Sequence, residues 1–118
     1  MEQDISALSE RLRKDMEKAN QYREAVDRGE KFSFHEEIVP FVDDVQGRAE
    51  VWRSNVQTFL SEHTLVVLHP NQVEHTYENM YVLATDSFHP HVQEQRYQER
   101  MQAVEYILNI VLEEIDTQ

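Results

Sequence analysis

Histidines and carboxylates are the side chains of this sequence that could carry chemistry, and their spacing limits which chemistry. A carboxylate-bridged di-iron or di-manganese centre in a helical bundle needs a Glu-x-x-His pair on each of two helices and a further Glu from each of the other two. No Glu-x-x-His occurs, and the nearest match is Asp86-x-x-His89. Imidazole alone can ligate zinc or nickel, and six histidines are available: His35, His63, His69, His75, His89 and His91. Only His89 and His91 lie close in sequence. His69 and His89 bracket one helix, about 25–30 Å apart at a rise of about 1.5 Å per residue. The histidines therefore read as helix caps and exposed imidazoles, and no metal and no cofactor is expected. Nucleophilic catalysis finds equally little support. There is no cysteine and no Gly-x-Ser-x-Gly, and Gly29 and Gly47 stand alone rather than in a phosphate-cradling loop.

Two polar residues fall inside otherwise apolar stripes. Arg23 takes a core position in helix 1, one step before Val26, and His63 takes one near the end of helix 3. A buried guanidinium needs a carboxylate or several carbonyls around it. The pair marks either side chains that snorkel or hydrogen-bond near the bundle ends, or an anion or ligand pocket between helices.

The elements that position these residues are helical. Tyr97, Met101, Val104, Leu108, Val111 and Ile115 recur in alternating steps of four and three, the seam of a bundle helix. Helix 1 is expected from Gln3 to Arg28, with Ile5, Leu8, Leu12, Met16, Ala19 and Val26 inward and Gly29 as the left-handed residue closing it. Ser33 and Glu36 have capping-box spacing. They open a short helix from Phe34 to Asp44 that buries Phe34, Ile38, Phe41 and Val45 and is kinked or broken at Pro40. Gly47 separates it from helix 3, expected from Arg48 to Val66 or Val67, with Ala49, Trp52, Val56, Phe59, Leu60 and Val66 on one stripe. His69-Pro70 and His89-Pro90 each set a proline at the first helical position. They open helix 4 (Pro70 to Ser87) and helix 5 (Pro90 to Asp116), joined by about three residues, which forces them antiparallel.

The sum is a single domain over residues 1–118, all-α: an antiparallel, up-down four-helix bundle with one additional short kinked helix. That extra piece crosses one end or extends helix 3. Ala103, Tyr106 and Ile110 lie beyond the seam of helix 5. Either the kinked helix covers them or they form a partner surface, most simply a homodimer patch.

The residues also resemble a known family. Phe34-x-x-x-Ile38-x-Pro40-x-Val42, Ala49-x-x-Trp52, His69-x-x-Gln72-Val73-Glu74-x-Thr76-x-x-Asn79, Ser87-Phe88 and Tyr106-x-Leu108 are similar to the YppE-like family of small, uncharacterised proteins from Gram-positive bacteria. The similarity spans nearly the whole chain. It implies a four-helix bundle and brings no established activity or catalytic residue. One departure is that relatives are more basic before the histidine, whereas Leu65 to Leu68 is apolar here.

Charge narrows the partners. Twenty-three acids against eleven bases give a net charge of −12, unevenly spread. From Glu62 onward the only bases besides histidine are Arg96 and Arg100. Such a surface repels phosphate backbones and anionic headgroups, so neither nucleic acid nor a membrane is expected as a partner. The five tyrosines have no basic groove beside them and do not make a base-stacking platform. No apolar run is long enough to span a bilayer. An acidic N-terminus without an apolar leader, together with the lack of cysteine, favours the cytosol. The reading leans away from an enzyme and towards a non-enzymatic cytosolic interaction or accessory protein with an acidic helical surface, its partner another protein or a second copy. The alternative is a small-ligand- or metal-binding bundle with its site near Arg23 or His63.

Overall fold

The computed structural model describes residues 4–115; the expected helix ends at Gln3 and Asp116 fall outside them. Four helices run α1 (Ile5–Asp27), α2 (Val39–Glu62), α3 (Pro70–Asp86) and α4 (Glu94–Ile115), with a π-helical turn, Phe34–Ile38, leading directly into α2. Each helix packs against its neighbours in chain order, α4 returns to α1, and α1 touches α3 across the middle. This is the up-down bundle expected from the seam spacing. All six seam residues of α4 are buried, as are Leu8, Leu12, Met16 and Ala19 of α1. Trp52 of α2 and Met80 of α3 complete the centre.

Local chemistry sets the helix ends. The Asp4 carboxylate accepts from the Ser6 backbone N–H at 3.0 Å and caps α1. At its other end Gly29 adopts φ +94°. The Gly29 N–H donates to the Val26 carbonyl at 2.9 Å and the Glu30 N–H to the Ala25 carbonyl at 3.0 Å, the two bonds of a Schellman motif. At the start of α3, His69 is extended and the Gln72 Oε1 accepts from its backbone N–H at 2.8 Å, with Pro70 at the first helical position.

Four expectations are corrected or refined. First, Gly47 does not divide the second helix. A glycine in a helix interior costs only about 1 kcal/mol, and the buried Val45, Ala49, Trp52 and Val56 hold the run together. Second, the kink or break expected at Pro40 takes the form of a change of helix type: the π-helical turn Phe34–Ile38 gives way to α2 at Val39, which places the proline in the first α-helical turn. In an α-helix its ring would collide with the carbonyl four residues back. The turn before it widens instead, with the Ile38 N–H donating to the Ser33 carbonyl and the Val39 N–H to the Phe34 carbonyl. The wider turn rotates Phe34 off the core stripe, leaving it 61% exposed rather than buried. Third, α2 stops at Glu62. Thr64, Val66 and Val67 are β-branched and poor helix formers, and the chain turns so that Leu68 enters the core while Val66 stands 92% exposed. Fourth, α4 begins at Glu94 rather than Pro90, so the α3–α4 connection is the longer run of turns from Ser87 to Gln93.

Candidate functional site

The late start of α4 traces to one cation. Arg23 projects from the last turns of α1 and is 5% exposed. Its Nε donates to Glu94 Oε2 at 3.0 Å and its Nη2 to the Val92 carbonyl at 2.6 Å. Nη1 reaches the carbonyls of Asp86 and His89, both at 3.4 Å. The guanidinium stacks 4.5 Å from the centre of the Tyr97 ring. Backbone carbonyls that a helix starting at Pro90 would have aimed along its own axis converge on this side chain instead. The chain thus supplies from within itself the carboxylate and carbonyls that a buried guanidinium requires. Glu94 also accepts from Gln98 Nε2 at 2.8 Å, and the bonds from Gln98 and Arg23 hold its carboxyl below the usual glutamate range. Burial pushes the Tyr97 phenol far above the ordinary tyrosine value, and its hydroxyl makes no hydrogen bond among the described residues.

His63 is not brought near Arg23. Arg23 sits where α1 ends and α4 begins, whereas His63 caps the C-terminus of α2 at the opposite end of the bundle. It is exposed rather than in the core, because α2 ends one residue before it. Its ring stacks on Phe59 with centroids 4.3 Å apart, and Nδ1 lies 3.3 Å from the Phe59 carbonyl. His35, His69, His75, His89 and His91 are all exposed. Among the described residues, no group of three or more potential ligands converges as a metal would require.

Two further interior polar contacts escaped sequence reasoning. Asp15, 5% exposed, forms a bidentate pair with Arg48, its two oxygens each 2.7 Å from a guanidinium nitrogen. The hydrogen bond to Asp15 is the main reason that Arg48 holds its proton more firmly than an ordinary arginine. The Trp52 indole N–H donates to Ser9 Oγ at 2.9 Å, both side chains fully buried. A buried indole always calls for an acceptor, but Ser9 and Asp15 each lie one position to the side of the apolar stripe of α1, where nothing in the spacing marks them.

On the surface, Phe34, Tyr81 and Tyr106 are exposed. Ala103 is exposed beside Tyr106 on α4, while Ile110 is buried at the edge of the core. The π-helical turn packs chiefly on α2, whereas α4 lies between α1 and α3. The short segment therefore does not form the main cover over the Tyr106 edge. A groove of about 220 Å³ opens between Phe34, Ile38, Val39 and Val42 on one side and Tyr81 and Thr85 on the other.

Comparison with known proteins agrees with this architecture. The sequence model of a bacterial domain of unknown function, DUF1798, matches residues 9–115. The chain is similar in fold to the crystal structure of protein yppE from Bacillus subtilis, with a TM-score of 0.89 and 23% identity over 96% of this chain and 93% of that one. It is also similar to a protein of unknown function from Listeria innocua, with a TM-score of 0.86 and 18% identity over 92% and 88% of the two chains. No curated protein matches the chain.

Proposed function

The chain belongs to the bacterial DUF1798 family, a domain of unknown function, and from that premise we propose that it is a non-enzymatic interaction protein of the cytosol, a bundle that receives a basic protein partner on its acidic helical surface. The observation that carries this reading is where the polar groups have gone. Arg23 is satisfied by backbone carbonyls, Asp15 by Arg48, and Trp52 by Ser9, while Glu78, Glu99 and Glu105 stand exposed on α3 and α4. Exposed aromatics stand on the same acidic exterior, and aromatic anchors within a charged rim are the usual composition of a protein-binding surface. The cysteine-free sequence suits a reducing compartment. No helix among the described residues is long and apolar enough to cross a membrane.

Affinity capture from a bacterial cytosolic extract tests the proposal, with the wild-type protein and a Glu78→Gln, Glu99→Gln, Glu105→Gln variant as parallel baits. The expected result is a basic protein retained by the wild type at low salt, released as salt rises, and retained less by the variant. Identical, salt-insensitive retention on both baits would overturn the acidic-surface reading. A stoichiometric metal or small molecule released from the purified protein on denaturation would replace it with a ligand-binding one.

A further inference from the structure

An acidic exterior does not by itself say where a partner docks, but one groove combines an apolar floor, exposed aromatic walls and a carboxylate rim. It lies where the π-helical turn and the first turns of α2 meet the last turns of α3, and Asp43 is its only charged lining residue. Phe34 and Tyr81 flank it at 61% and 42% exposure. The exposure of Phe34 follows from Pro40. Continued back as an α-helix, the stripe through Ile38, Phe41 and Val45 would have carried Phe34 inward. The π-helical turn forced by the proline swings it outward by roughly 100°, the rotation of one added residue. The backbone thus presents a large aromatic at a place where an ordinary helix start would have hidden it.

Charge along the same face is one-sided. Glu78 stands exposed one turn before Tyr81, and Asp43 sits on the opposite wall. The face's arginine, Arg53, is already engaged: its guanidinium lies 4.2 Å from the centre of the Tyr77 ring and 3.5 Å from Glu74. Glu50 accepts from the Tyr77 hydroxyl at 3.2 Å, which places another carboxylate further along the seam. An apolar trough between two antiparallel helices, edged by carboxylates, fits an amphipathic helix with an apolar anchor and cationic flanks. Resting on the interaction reading above, we infer that the Phe34–Tyr81 groove is the docking site for a basic amphipathic segment of the partner. An aliphatic or aromatic side chain of that segment seats between the two rings, and its lysines or arginines face Asp43 and Glu78.

The test uses a phage-displayed library of random peptides selected on the intact protein. Affinities of the enriched peptides are then measured by fluorescence anisotropy against the wild type and the Phe34→Ala, Tyr81→Ala and Tyr106→Ala variants. All three residues are exposed, so the variants should keep the fold, which circular dichroism checks. The expected peptides carry net positive charge and apolar residues at helical spacing. Phe34→Ala and Tyr81→Ala each weaken their binding at least about tenfold, and Tyr106→Ala leaves it unchanged. Basic peptides that bind Phe34→Ala and Tyr81→Ala as tightly as the wild type would overturn the groove and leave the interaction reading standing. Enrichment with no preference for positive charge, or no enrichment, would overturn both. A concentration-dependent dimer seen by light scattering and abolished by Phe34→Ala would place a second copy in the groove and overturn the basic-segment assignment.

Discussion

Replacing Arg23 with methionine removes the side chain around which the α3–α4 connection is folded. The bond from Nη2 to the Val92 carbonyl, at 2.6 Å, is short and charge-assisted, and such bonds contribute about 1.5–3 kcal/mol. The two bonds at 3.4 Å are near the limit of useful geometry and add little. Glu94 is 59% exposed, so its pair with Arg23 is screened by water and amounts to less than about 1 kcal/mol. Stacking on Tyr97 adds about 0.5–2 kcal/mol. Methionine recovers part of the packing of the arginine stem, so the net loss comes to about 2–4 kcal/mol. At about 4 °C per kcal/mol for a domain of this size, Tm falls by about 10 °C. Thermal and urea denaturation followed by circular dichroism measure the loss, and hydrogen exchange should show the amides of the Ser87–Gln93 connection losing protection first. Arg23→Lys should lie between the two, since an ammonium cannot serve the diverging carbonyls with a fixed fork. An Arg23→Met protein as stable as the wild type, or more stable, would refute the structural account. It would mean that the charge is held in the core for something other than the fold.

Three further outcomes follow from the same geometry. Gly47→Ala should raise stability by about 0.5–1 kcal/mol, because Gly47 lies within continuous α2 and an added Cβ meets nothing within 4 Å; a loss in urea denaturation would show that the helix is not continuous there. Trp52→Phe should cost about 2–4 kcal/mol, since it removes buried indole volume and strands the Ser9 hydroxyl. Adding Ser9→Ala to it should recover about 1 kcal/mol in a double-mutant cycle, and strict additivity would contradict the pairing. Tyr97 should weaken the fold at alkaline pH. Its folded-state pKa is raised above the ordinary value of 10.0, so its contribution is complete below that value and declines as pH climbs through and beyond it. Tyr97→Phe, which also removes the unpartnered hydroxyl, should flatten that decline in a series of melts, and an unchanged alkaline slope would refute the assignment.

The bundle was legible in the sequence because its information is periodic. Six residues of α4 repeat at seam spacing, and all six are buried. Caps were legible where one residue type has one geometric use, as at Gly29 and His69-Pro70. Failures came where tertiary contacts outvote local preference. His89-Pro90 has the local form of a helix start, yet Arg23 draws the surrounding carbonyls away and α4 waits until Glu94. Gly47 looks like an interruption, but packing of Val45 and Ala49 carries the helix through it, whereas the interruption expected at Pro40 is present as a π-helical turn. Of the polar candidates, Arg23 was visible as a cation on an apolar stripe. Its partners were not, because they come from residues 63 to 71 positions away. His63 lies off the core because α2 ends at Glu62, where the β-branched Thr64, Val66 and Val67 weaken the helix locally and Leu68, further along the chain, enters the core. The groove at Phe34 was hidden for a related reason: one added residue in a turn rotates the emerging side chain by roughly 100°, enough to take it off the buried stripe.

The affinity of the captured partner as a function of ionic strength, measured by isothermal titration calorimetry, tests the central claim most directly. An acidic surface that receives a basic protein predicts an affinity that falls by at least about tenfold as salt rises from about 0.05 M to about 0.5 M, with a shallower slope for the Glu78→Gln, Glu99→Gln, Glu105→Gln variant. An affinity indifferent to salt, or equal slopes for the two proteins, would contradict it.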